Sequence, residues 1–179
     1  MPSSYSPDLR LELPADGEQT GLWGQTTNRN LGTLIESAIA GATSVSVTTA
    51  NQALTALNGA DDQSRHAMLA LTTTTGANFA VYAPPASKTY IVRNASSYTA
   101  TVYNSTTLGD TTAAGAGVAV PAGKTLLVFS DGTDFRTIDA VNLTGTLAVA
   151  NGGTGATDAS GARTNLGLVV GTNVPSPTG

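Results

Sequence analysis

The sequence predicts a mainly β protein with four parts: an extended N-terminal arm (residues 1–20), one amphipathic helix (21–43), a small all-β domain of sandwich type (44–141) and a glycine-rich C-terminal segment (142–179). Three observations predict it. Short apolar stretches recur at intervals of about ten residues between turn residues, the signature of a sandwich or barrel. Only one stretch places apolar residues at helical spacings of three and four. Charged residues make up 11% of the chain, against about 25% in ordinary soluble domains. Thr, Ala, Gly, Ser and Asn fill the difference and give a polar, uncharged surface. A net charge of −4 argues against disorder, which combines low hydrophobicity with high net charge.

The arm carries Pro2, Pro7 and Pro14, which resist helix, and the alternation Leu9, Leu11, Leu13 around Arg10 and Glu12. That pattern reads as one strand-like segment, apolar on one face and charged on the other. With no core of its own, it needs another surface to be ordered.

Leu31, Leu34, Ile35, Ala38, Ile39 and Ala42 recur on one helical face, with Arg29, Asn30, Thr33, Glu36 and Ser37 opposite. Leu22, Trp23 and Thr27 extend the stripe, Thr20 or Asn28 suits the N-cap, and Gly41 suits the stop. A lone helix must bury such a stripe on the β-domain or against copies of itself.

In the β-domain the expected strands are 44–49, 67–73, 78–83, 89–94, 99–104, 117–121, 125–130 and 135–141, with 52–57 read as strand rather than helix. Asp131-Gly132 marks the clearest hairpin. The C-terminal segment carries Asn151-Gly152-Gly153-Thr154-Gly155, then a short helix near 159–168 with Ala159, Ala162 and Leu166 inward.

Catalytic chemistry finds little footing. His66 is the only histidine, in Asp61-Asp62-Gln63-Ser64-Arg65-His66, and lacks both a nucleophile and an orienting partner. The bland reading of that stretch is a solvated loop. One His and no Cys argue strongly against a zinc site, which needs three or four ligands. The chain also has no disulfide, which suits assembly in a reducing cytoplasm. Gly123-Lys124-Thr125 lacks the spacing of a phosphate loop and follows Pro121, so it reads as a turn between strands. Asp131, Asp134 and Asp139 lack Ca²⁺-loop spacing and serve the hairpin turn instead. Trp23 beside the apolar stripe reads as an interface anchor. No basic cluster is present to neutralise phosphates, so nucleic acid is not an expected partner. The N-terminus has no signal-peptide pattern, and no apolar run is long enough to span a membrane.

Two stretches carry a family resemblance. Pro7-Asp8-Leu9-Arg10-Leu11-Glu12-Leu13-Pro14, with Gly17-Glu18 and Gly21-Leu22-Trp23-Gly24-Gln25-Thr26-Thr27-Asn28-Arg29-Asn30-Leu31, resembles the N-terminal arms of tail fibre proteins of tailed bacteriophages. Leu147-Ala148-Val149-Ala150-Asn151-Gly152-Gly153-Thr154-Gly155-Ala156-Thr157, continuing through 161–168, is similar to a shaft repeat of the same proteins, which often have Pro where this chain has Ala148. Thr55–Gly59 and Gly123–Gly132 are similar to the small β-domain between them. The resemblance implies a non-enzymatic virion protein without cofactor or metal, assembled in the host cytoplasm into the tail. It implies a homotrimer whose N-terminal region attaches the fibre to a tail, baseplate or adaptor protein, while regions beyond this chain contact the host receptor. On this reading Leu9, Leu11, Leu13 and Trp23 dock to the tail, and Leu31, Leu34, Ile35, Ala38 and Ile39 line the trimer interface. The ending 173–179 reads as a linker into further shaft. Two other classes stay open. One is a carbohydrate-binding module using exposed Tyr82, Tyr90, Tyr98 and Tyr103. The other is the anchor of a tailspike depolymerase whose enzyme part lies beyond Gly179.

Overall fold

The computed structural model describes residues 2–138 and 153–168. The chain divides into two units, Met1–Ile138 and Asp139–Gly179. Its described part is mainly β, with one long helix.

The arm is a small hairpin, not an extended strand. β1 (Ser4–Tyr5) pairs antiparallel with β2 (Glu12–Leu13). Pro7 begins the reversal. Ser6 accepts the Arg10 amide at 3.1 Å, donates its own amide to the Leu11 carbonyl at 2.9 Å, and Arg10 sits at φ 51°. Leu9 therefore lies in the turn, and the alternation Leu9, Leu11, Leu13 does not form one apolar face.

The helix runs over residues 23–40 in three pieces: α1 (Trp23–Arg29), a π turn (Asn30–Ile35) and α2 (Glu36–Ala40). Neither Thr20 nor Asn28 caps it. The Gln19 carbonyl takes the first amides, Leu22 at 2.7 Å and Trp23 at 3.0 Å. The π turn divides the expected stripe, because one inserted residue rotates the downstream side chains by about 100°. Leu34 is fully buried within the chain, Ile35 and Ala38 are half-buried, and Leu31 and Ile39 are 59% and 74% exposed. The buried face is instead Thr26, Asn30 (half-buried) and Leu34. Gly41 ends the helix for a reason other than a left-handed cap. Its φ is −72°, but a Cβ there would lie 2.6 Å from the Ser37 oxygen and 2.9 Å from the His66 ring.

The β-domain is two sheets sharing one core. The first holds β3 (Ala42–Val47), β5 (Met68–Thr73), β7 (Ser87–Asn94), β10 (Thr125–Asp131) and β11 (Phe135–Thr137). The second holds β4 (Asn51–Ala53), β6 (Phe79–Ala83), β8 (Ala100–Asn104) and β9 (Val118–Val120). From β3 to β8 the chain crosses between sheets at every step, so β3, β5 and β7 stack in parallel, as do β4, β6 and β8. The result is three solenoid-like coils, closed by antiparallel β9, β10 and β11. Inward residues stack from coil to coil, Val45 on Leu71 and Phe79 on Ala100. The first of these stacks ends at Asn94, which pairs with Leu71. Fully buried, Asn94 donates to the Tyr98 and Val120 carbonyls at 2.6 and 2.8 Å and accepts from the amide and hydroxyl of Ser96. A buried amide is tolerable only when paired this fully. Strands overlap each of the expected segments, although β4 stops at Ala53, short of the expected 52–57, and β11 at Thr137, with 139–141 outside the described residues; the β10–β11 hairpin turns through Asp131 and Gly132 as expected, with Gly132 at φ 96°.

In the second unit, α3 (Ala159–Asn165) is capped by Asp158, which accepts the Gly161 amide at 2.8 Å. None of its residues is buried, so Ala159, Ala162 and Leu166 do not point into a core. Residues 139–152 and 169–179, which include Asp139, the first part of the shaft-like repeat and the linker, lie outside the described residues.

Candidate functional site

The densest chemistry lies where the arm meets the β-domain. The stretch 61–66, expected as a solvated loop, is largely buried. Asp62 precedes a short 3₁₀ turn (Gln63–Arg65) and caps it. One carboxylate oxygen accepts the Arg65 amide at 2.9 Å and the Ser64 hydroxyl at 3.0 Å, and the other accepts the Leu57 amide at 2.8 Å. Arg65 folds back on the same turn. Its Nη2 lies 3.0 Å from Asp62, 3.0 Å from the Ala60 carbonyl and 3.1 Å from that of Leu57. The paired side chains are only 2% and 1% exposed. The fork's other end, Nη1, donates to the carbonyl of Leu9 in the arm. Arg65 Nε is buried with no partner among the described residues.

Lys88 on β7 ties this turn to the sheet. Its ammonium donates to the carbonyls of Ser64 (3.0 Å), His66 (2.7 Å) and Arg65, and sits 4.1 Å above the Tyr90 ring. Tyr90 donates its hydroxyl to the Ser64 carbonyl at 3.0 Å. Burial pushes the Lys88 ammonium down to about 7, while Asp62 opposes and Arg65 assists. Burial pushes the Tyr90 hydroxyl up, with Asp62 adding to it. His66 is half-buried, its Nδ1 2.8 Å from the Asp62 carbonyl, and Asp61 lies 3.9 Å from its Nε2. Asp62, Arg65, Lys88 and Tyr90 are each engaged in holding backbone. The cavity between arm and cluster measures about 10 Å³, too small for a substrate.

The arm completes the junction. Arg10 accepts the Gly59 amide through its carbonyl at 2.9 Å and donates from Nε to Asn58 at 2.7 Å. Glu12 ties it to the helix: its main chain pairs with the Asn30 side chain (2.8 Å to the carbonyl), and its carboxylate accepts from Ser3, Gln19 and Arg29.

Of the tail-docking residues expected from sequence, Leu9 and Leu11 are half-buried, while Leu13 and Trp23 are exposed, Trp23 by 65%. Leu34 cannot line an interface between copies, because its own chain covers it. Leu22, Trp23, Leu31 and Ile39 leave much of the helix's apolar surface open. A second apolar patch crosses the outer face of the five-stranded sheet. Leu127 pairs with Ile91, and the Ile138 amide bonds the Leu127 carbonyl. All three are exposed. Its sequence signal is the doublet Leu126-Leu127, which puts a leucine on each face of one strand.

The remaining candidates serve turns. Lys124 closes the turn at 121–124 by donating its amide to the Pro121 carbonyl, with Gly123 at φ 70°. Asp131 accepts the amides of Thr133 and Asp134, and Asp134 accepts that of Ala116. No group of three or more acidic, His or Cys residues that could hold a metal occurs among the described residues. Tyr82 and Tyr90 are buried, and Tyr82 stacks on Tyr103 at 5.5 Å, so the four tyrosines are not a sugar platform. No helix among the described residues is long and apolar enough to cross a membrane. No known protein family, no curated protein and no solved structure matches the chain.

Proposed function

We propose that the chain is a non-enzymatic virion protein, the proximal part of a phage tail fibre that attaches the fibre to the tail. The observation that carries the reading is the set of large apolar side chains left exposed directly after the arm: Leu22 at the helix N-cap, and Trp23, Leu31 and Ile39 along the helix. Side chains of this size contribute roughly 1.5–3 kcal/mol each when buried, so a segment that leaves four of them largely exposed is built for assembly. The arm and helix are also the segments whose residues carry the tail fibre resemblance. The low charge of the β-domain and its small arm cavity suit a structural part better than an enzyme or a lectin.

On this reading three copies gather their helices, with Leu31 and Ile39 at the centre and Ile35 and Ala38 at the border. Leu11, Leu13 and Trp23 face a tail, baseplate or adaptor protein. The protein is assembled in the host cytoplasm, needs no cofactor, metal or nucleic acid, does not insert into membranes, and leaves the receptor to regions beyond it. Sedimentation of the full chain is expected to give a trimer. Leu31→Asp with Ile39→Asp is expected to give a folded monomer, since a carboxylate left unpaired in such an interface costs several kcal/mol. A wild-type monomer at micromolar concentration refutes the trimer.

A further inference from the structure

The arm is held unevenly. Its receiving surface is tied together independently of it: the Asp62–Arg65 pair is buried, and its bonds to Leu57, Ala60 and Ser64 involve no arm residue. The arm itself is weakly built. Its strands are two residues long, and the first buried residue of the described chain is Thr26, so the arm adds nothing to the core. Among the described residues its hydrogen bonds to the β-domain are three: the Gly59 amide to the Arg10 carbonyl, Arg10 Nε to Asn58, and Arg65 to the Leu9 carbonyl. Tyr5 and Glu12 lie over Gly59, which is buried beneath them. Arg10 and Gln19, at φ 51° and 59°, are the only non-glycine residues with positive φ among the described residues, and both lie in residues 1–20. Such backbone persists only where surrounding contacts over-determine it.

We propose that residues 3–13 form a strap latched onto the β-domain at Asn58, Gly59 and Arg65, and that lifting it frees the half-buried Leu11, beside the already exposed Leu13, for a second protein. Lifting breaks those three bonds while Glu12 keeps its bonds to Asn30 and Arg29, so the arm departs as a unit with the helix start. Local opening of this kind draws on the low-stability end of a fold and leaves the core closed. The use of Leu11 and Leu13 in tail attachment rests on the function proposed above; the strap itself does not.

Amide hydrogen exchange of the full chain, followed by NMR, tests it. The Gly59 amide is the reporter, because its only acceptor is in the arm, and the Ile91 amide, bonded to the Ala67 carbonyl at 2.9 Å, reports the core. Gly59 is expected to exchange at least about 100-fold faster than Ile91 and independently of low denaturant. In Asn58→Ala, which removes only a contact to Arg10, Gly59 should speed up about tenfold more with Ile91 unchanged. Exchange of Gly59 only through the denaturant-dependent global unfolding that governs Ile91, or a Gly59 rate unmoved by Asn58→Ala, overturns the strap. No tail protein is present in this measurement, so a failure of docking elsewhere leaves its result standing.

Discussion

Replacing Asp62 with asparagine is the sharpest test of the buried turn. The two carboxylate oxygens take four donors: the Arg65 amide and Ser64 hydroxyl on one, the Leu57 amide and Arg65 Nη2 on the other. An asparagine must aim its NH₂ at one of these pairs. The better orientation is toward Ser64, whose hydroxyl can turn to accept, but the Arg65 amide then faces a donor. The guanidinium also loses its counter-charge while only 2% exposed. Removing one partner of a buried pair costs about 3–5 kcal/mol, a large share of the roughly 5–15 kcal/mol that stabilises a domain. In thermal unfolding followed by circular dichroism, a loss of that size lowers Tm by roughly 10–20 °C. Arg136→Ala is the matched control. That arginine also lies 3.0 Å from a carboxylate, Asp134, but is 65% exposed, and such a pair contributes about 0–1 kcal/mol. Replacing both buried partners with apolar residues, Asp62→Leu with Arg65→Met, should not rescue the fold. The Leu57 amide and the Leu57 and Ala60 carbonyls would then be unpaired. A Tm shift below about 3 °C for Asp62→Asn would refute the reasoning.

Two further outcomes rest on single atoms. Gly41→Ala places a methyl 2.6 Å from the Ser37 oxygen and 2.9 Å from the His66 ring, and overpacking of this kind costs about 1–3 kcal/mol, read as a lower denaturant midpoint. Lys88 is held near 7 in the fold against an ordinary 10.5, so between these values the unfolded chain binds more protons and stability rises with pH. Tm should climb from pH 7 to 9 and stay flat in Lys88→Met; a flat wild-type profile would mean that the three carbonyls and the Tyr90 ring keep the ammonium charged.

Local pattern makes much of the fold readable from sequence. The alternating pairs Tyr90 and Val92, and Val118 and Val120, mark inward faces that the structure buries, and Asp131-Gly132 marks the turn that forms. What alternation reports is a face, not a neighbour. Nothing in Val45 or Val47 says that they stack on Leu71 and Thr73 in parallel, so the interleaved coils are not legible. Apolar spacing predicts a regular helix, and the π turn that exposes Leu31 while burying Leu34 has no periodic signature. Asp62 and Arg65 read as solvated because their partners are carbonyls and amides of Leu57, Ala60 and Leu9, which a side-chain reading passes over. The arm's leucines suggest a strand, but Pro7 and the bonds of Ser6 reverse the chain first.

The interleaved coils also set an order in time. β3 is the first strand of the β-domain to leave the ribosome, yet its partner β5 begins about two dozen residues later, and β5 in turn waits for β7. The second sheet lags in the same way, β6 waiting for β8. The antiparallel strands are different: β9 and β10 find β8 and β7 already made, and β11 closes on β10 through a short turn. The nascent chain therefore trails an unpaired, uncharged strand until the next coil is made, and β3, with no charge anywhere in Ala42–Val47, lacks the lysine or proline that usually guards an edge. A chain that matures this way gains from having its neighbours close by during synthesis, because the waiting strand then meets a correct partner before a wrong one.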